Sequence, residues 1–269
     1  MTEPQPQTKS IYINTPAVFL AFIIDISFIF IYSFIHIKYY SGKIFSVLIG
    51  IVGFIVSLFI EGRILKMIAK ILGKDSFWMI PFNLSFPGIF EETGRYLCLK
   101  YILKKNKNKN KSIGYGIGHG GIESFLVGTS LLVYLISKDS LIKQGVIKED
   151  ITFINLFYGV FERINCVFIH ISLSVIVFKA IKENNINYYI LAIFLHDFVD
   201  FFAFLYHKKV ITSILIFECI ICFLAIIFSR YAYNLYININ DEKEREKEKE
   251  ENEEAEKIFV LEDKKEEEE

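Results

Sequence analysis

FEETGRY, residues 90–96, lies inside an otherwise apolar run that extends from 77 to 102. Two adjacent carboxylates and a guanidinium are unfavourable there, each costing about 2.5–3.5 kcal/mol at a bilayer centre. On a helix Glu91 and Arg95 are i,i+4 and Glu92 and Arg95 are i,i+3, so either acid can pair with the arginine. A structural ion pair needs only one of them. The spare carboxylate, held in low-dielectric surroundings, suits a general base working near neutral pH.

The composition around this stretch is that of a membrane protein. Of 269 residues 53% are hydrophobic, and Ile and Phe come in long blocks. A spanning helix needs about 20 apolar residues. Seven blocks reach or approach that length: 16–37, 44–60, 77–102, 113–136, 151–178, 188–206 and 210–228. They predict an all-α fold, a polytopic transmembrane bundle of about seven spans. A polar N-terminal segment (1–15) precedes the membrane domain (16–236), and a charged Glu/Lys tail (237–269) follows it. Residues 1–8 lack a basic n-region, so the first span is expected to insert uncleaved.

Charge divides the chain. From Asp241 onward there are 16 acidic and 7 basic residues, a net of −9, which leaves +8 on the preceding part. Such a tail is disordered or a solvated helix, and is expected on the cytoplasmic side of the cell membrane. Basic loops fit contact with lipid head groups, so membrane lipid is the first expected partner. The Lys/Asn stretch 104–111 lacks interleaved aromatics and predicts no nucleic-acid binding. Cys98, Cys166, Cys219 and Cys222 all fall in apolar blocks and read as small buried hydrophobes.

Within the blocks, polar residues are few. Asp25 lies mid-span and is expected to face the bundle. His36, beside Lys38, Tyr39 and Tyr40, reads as an interfacial anchor. Residues 61–74 form either an amphipathic interfacial helix or an extension of the second span. Pro81 and Pro87 predict bent or irregular backbone until about Gly88, which places the glutamate pair near a helix start and beside a cavity. In GYGIGHGGIE, residues 114–123, five glycines in eight positions call for close approach of a neighbouring backbone or a substrate. His119 and Glu123 are i,i+4 on that segment. Glu162 and Arg163 read as a structural pair, with His170 on nearly the same face as Arg163. His196 and Asp200 are again i,i+4, and Asp197 is turned away. Glu218 reads as a single acid satisfied by a neighbouring helix, and His207 as solvated.

EETGR (91–95), GIGHGGIE (116–123), Glu162-Arg163 with His170, and HDFVD (196–200) together resemble the YhfC family of membrane peptidases. That family is similar to the type II CAAX-prenyl proteases, the PrsW proteases and the scaffold subunit of gamma-secretase. The likeness runs from about residue 16 to 230. It implies a glutamate that activates water, with later histidines at the oxyanion. Glu91, Glu92 and Arg95 match the paired acids and the basic residue. Tyr115 and His119 match an aromatic-x-x-x-His element, and His196 and Asp200 match HxxxN/D. The CAAX proteases carry EExxxR, one residue longer, which leaves open which glutamate is the base. Asp200 donates to an oxyanion only when protonated; otherwise it orients His196.

Three readings follow. The leading one is a glutamic intramembrane endopeptidase, without a metal, that cuts a membrane-protein or peptide substrate. Glu91 or Glu92 is the base, His119 and His196 stabilise the oxyanion, and Arg95 holds one glutamate ionised. Glu123, Glu162, Arg163 and His170 support the site. The alternative is a zinc-dependent protease in which His119, His170 and His196 bind the metal and a glutamate is the base. The third is a non-catalytic scaffold or transporter, because fold alone does not prove catalysis.

Overall fold

The structure is a computed structural model and describes residues 12–40, 42–104, 108–144 and 150–239. The charged tail from Asp241 and the first eleven residues lie outside these. The helices are α1 (Thr15–Tyr40), α2 (Ile44–Leu72), α3 (Met79–Leu97), α4 (Asn110–Ile136), α5 (Lys138–Lys143), α6 (Phe153–Lys182), α7 (Ile186–His207) and α8 (Ile214–Asn238). A π-helical turn, Cys98–Ile102, extends α3. The fold is an all-α polytopic bundle. Backbone groups in lipid find no water, so each apolar block closes its own hydrogen bonds as a helix.

Six helices, α1, α2, α4, α6, α7 and α8, are long and apolar enough to cross a membrane. α3 takes the place of the remaining expected block, and its polar residues set it apart. Its buried face is Gly88, Glu91, Glu92 and Arg95, while Ile89 and Leu97 are exposed. The helix is inside out by aqueous standards, as a helix must be when lipid is the outer solvent. α6 is the central strut and packs against α1, α3, α4, α7 and α8.

Local details depart from the sequence expectation in two places, the first and third below, and in the second the structure chooses between the two alternatives. α3 is helical from Met79, not from Gly88. Pro81 sits in the first turn, where an amide has no intrahelical partner anyway. Pro87 lies within the helix and frees the carbonyl of Asn83; both residues line a cavity, so the break is not presented to lipid. Second, α2 continues to Leu72, and Glu61 is buried within it, so 61–74 extends the second span. Third, His36 is not an exposed anchor but buried, with Gly42 and Gly114 against its ring.

The glycines of 114–121 serve helix contact. A Cβ on Gly118 would meet the Val47 carbonyl of α2, and one on Gly116 would meet the backbone of His170 and Ile171 on α6. α4 is thus pressed against two neighbours at backbone distance. Gly116→Ala is expected to destabilise by about 1–3 kcal/mol through overpacking. Thermal unfolding in detergent checks this, and an unchanged melting temperature would mean that the α4–α6 contact gives way freely.

Candidate active site

Four helices carry the polar residues inward: α3 Glu91, Glu92 and Arg95; α4 His119 and Glu123; α6 Glu162, Arg163 and His170; α7 His196 and Asp200. Spacings of three, four, seven or eight residues bring members of each set onto one side of their helix, with the adjacent pairs Glu91–Glu92 and Glu162–Arg163 splayed by about 100°. All ten lie around one cavity of about 350 Å³ or directly behind it.

Arg95 makes the i,i+3 pair, with Nε 2.8 Å from Glu92 Oε2, and both side chains are completely enclosed. Its Nη1 donates to the His170 carbonyl at 2.7 Å and to the Ser174 hydroxyl. Nη2 lies 3.2 Å from His170 Nδ1, and the guanidinium stacks over the Tyr115 ring. Glu92 also holds His196 Nδ1 at 2.8 Å. Glu91 is therefore the carboxylate without the arginine. It lines the cavity, and its Oε2 lies 2.8 Å from His119 Nε2 and 3.7 Å from His196 Nε2.

The three histidines converge. Ring centroids of His119 and His170 are 4.6 Å apart, and those of His170 and His196 are 5.5 Å apart. Glu123 Oε2 holds His170 Nε2 at 2.6 Å, and Glu123 Oε1 accepts from Arg163 at 2.6 Å. Arg163 also donates to Glu162, so the expected Glu162–Arg163 pair is formed but shared with Glu123. Asp200 Oδ2 lies 3.8 Å from His196 Nε2 and has no hydrogen-bond partner. Asp197, read as turned away, packs against Gly88 instead.

Two members escaped the sequence reading. Ser174 receives Arg95, and its position one turn beyond His170 was the available signal. Glu61 of α2 is buried and has an unpartnered Oε2. It sits beside the cationic run 63–70, which hid it as a surface residue.

Among the described residues, one oxygen or nitrogen from each of Glu91, His119 and His170 falls within 4.8 Å of the other two. This differs from the three-histidine set expected for zinc: Glu91 takes the place of His196, which does not fall within the group. Two imidazoles and a carboxylate are a donor set of catalytic zinc sites that keep a fourth position open. Metal bonds of about 2.0–2.2 Å put tetrahedral donors roughly 3.4 Å apart. The separations here, 2.8 Å for Glu91–His119 and at most 4.8 Å within the group, bracket that spacing. Glu123 on His170 supplies the carboxylate–imidazole contact that orients such ligands. The donor types fit a metal; with His170 Nε2 on Glu123, its Nδ1 is the donor on offer, and Arg95 Nη2, 3.2 Å away, must give up that nitrogen for a metal to bind.

Comparison with known proteins points the same way. A family described as YhfC intramembrane metalloprotease matches residues 22–221, which include every residue of the site. The uncharacterized membrane protein YhfC of Bacillus subtilis (strain 168) is 28% identical over 167 residues, or 55% of this chain. The match spans 65% of that relative's length. No solved structure matches. The chain is an integral, multi-pass membrane protein and belongs to the YhfC intramembrane metalloprotease family.

Proposed function

We propose that the chain is a metal-dependent intramembrane endopeptidase, with a membrane-protein segment or peptide as substrate. The observation that carries this is the Glu91–His119–His170 group at the wall of a cavity in the bundle. Those three residues would hold a zinc ion. When bound, zinc supplies Lewis acidity toward a carbonyl and toward water.

The remaining residues position groups and move protons. Glu92, neutralised by Arg95, fixes His196 through Nδ1 and so turns Nε2 toward Glu91 and the cavity. An imidazole anchored on one nitrogen and free on the other can take a proton from attacking water and return it to the leaving amine. Asp200 steadies the charged imidazole from the cavity side. Arg95 ties α3 to α6 at His170, and Glu123, itself held by Arg163, fixes the His170 ring.

The metal-free glutamic reading rests on one observation: Glu91 is the carboxylate that Arg95 leaves unpaired. Chelation separates the two. The full chain, purified in detergent, is expected to carry about one zinc, to cleave apolar quenched peptides, and to lose cleavage on chelation and regain it with zinc. Cleavage by metal-free protein, indifferent to chelator, would return the assignment to Glu91 as base. Glu123→Gln is expected to weaken zinc binding about 10–100-fold, as loss of a ligand-orienting carboxylate does; competition with a chromophoric chelator measures it. We place the tail beyond α8 in the cytoplasm, and the cell membrane as its location, on the charge argument alone.

A further inference from the structure

The cavity has an open end and a closed end. On α3 its lining runs from buried Glu91 through half-buried Pro87 and Leu84 to exposed Asn83. On α7 it runs from buried His196 through half-buried Asp200 and Ala203 to exposed His207. On α6 it runs from buried His170 to half-buried Cys166, Arg163 and Glu162. The three gradients point the same way. α3, α6 and α8 begin at that face of the bundle, and α4 and α7 end there, as spans of alternating direction do. α8 therefore ends at the opposite face, from which the charged tail continues. Toward that opposite face the helical turn next to the site is sealed. Arg95 on α3, Tyr115 on α4, Leu173 and Ser174 on α6 and Ala192 on α7 are each 0% exposed. Each lies three or four residues from a residue of the site on its own helix. His196 and His207 are eleven residues apart, about 16 Å along the helix axis. That is roughly half of a 30 Å hydrocarbon core, so the lining reaches from mid-membrane to one surface. Hydrolysis needs water, and a bilayer core supplies none of its own.

We propose that water and substrate reach the site from one membrane face only, the face where α7 ends and α8 begins, opposite the one from which the tail continues. This deepens the endopeptidase reading and rests on it, since it takes the cavity as the place of the reaction. Substrates are then segments whose cleaved bond is presented from that face. The apolar wall of Leu84, Val199, Phe204, Phe217 and Ile221 receives the part that leaves the lipid. A segment presented from the tail face would have to displace Arg95, which holds Ser174 and stacks over Tyr115.

Thiol labelling, read without turnover or metal, tests this. Cys166 lies in the cavity wall, and Cys98, Cys219 and Cys222 are replaced by alanine so that it reacts alone. The full chain is prepared in sealed membrane vesicles of the two opposite orientations, told apart by whether an added protease removes the tail. A cationic, membrane-impermeant methanethiosulfonate is added outside, and unreacted thiol is measured by gel shift after denaturation. Cys166 is expected to react more than about tenfold faster with the tail inside than with the tail outside, because a fixed charge crosses the bilayer core only at a large cost. Ala203→Cys, nearer the mouth and combined with Cys166→Ala, is expected to show the same sidedness and carries the test should Cys166 prove unreactive. Ala192→Cys, in the sealed turn, is expected to stay unlabelled from either side. Labelling of Cys166 or Ala203→Cys from the tail face, or equally from both faces, overturns the proposal. So does labelling of Ala192→Cys from the tail face, or failure of both Cys166 and Ala203→Cys to react from either face, which would make the cavity one that water does not enter. Absence of metal or of proteolysis counts against the metallopeptidase reading and leaves the labelling readable.

Discussion

His119→Ala and His170→Ala are each expected to purify with little metal and without activity, while His196→Ala keeps the metal and loses activity alone. Losing a residue that merely orients a ligand already costs about 10–100-fold in metal affinity, so losing a ligand costs at least that. Glu91→Ala belongs with the first pair, because its carboxylate completes the group. His196 is set apart by its Nδ1 contact with Glu92 and by the 3.7 Å from its Nε2 to Glu91. Its removal takes away a proton-transfer group, worth roughly 10²–10⁴-fold in rate. Metal content by mass spectrometry and cleavage of a quenched peptide are measured on the same samples. Zinc lost by His170→Ala and His196→Ala alike but retained by Glu91→Ala would restore the three-histidine set and exclude Glu91 as a ligand.

That contrast turns on a distinction the sequence alone does not make. Spacing places Glu91, Glu92 and Arg95 on one helix face and shows that one acid is left over. It does not say which, because i,i+3 and i,i+4 are both within reach of a long arginine. The choice is made by α6 and α7: the His170 carbonyl and Ser174 draw the guanidinium to one side, and His196 takes the second oxygen of Glu92. Glu91 is left to His119 and the cavity. The convergence of three histidines was legible, since each sits deep in its own apolar block, where a polar side chain must turn inward. The exchange of His196 for Glu91 in the candidate metal group was not. It depends on the relative rotation of α3, α4 and α6; α4 meets α6 at Gly116 and α2 at Gly118, and α3 meets α2 at Gly94. Glu61 shows the same limit: its burial follows from helix packing that no local pattern encodes, whereas the burial of Asp25 was expected from its mid-span position.

Arg95→Met is expected to be the most damaging single change to stability. The side chain is fully enclosed, pairs with Glu92, donates to the His170 carbonyl and Ser174, and stacks over Tyr115. Removing it leaves Glu92 ionised in a low-dielectric interior with only His196 beside it. Breaking a buried pair from one side costs about 3–5 kcal/mol. Lysine does not substitute, because one ammonium lacks the planar fork that spans a carboxylate, a carbonyl and a hydroxyl at once. The double change Arg95→Met with Glu92→Leu removes both charges. It is expected to recover at least about half of the loss, since an apolar replacement of a buried pair is often neutral or better. Activity should stay absent in the double variant, because His196 Nδ1 has then lost the oxygen that fixes it. Thermal unfolding and peptide cleavage, followed on the two single variants and the double, separate these effects. A double variant no more stable than Arg95→Met would mean that the arginine holds α3 to α6 through His170 and Ser174, and that its charge pairing with Glu92 is secondary.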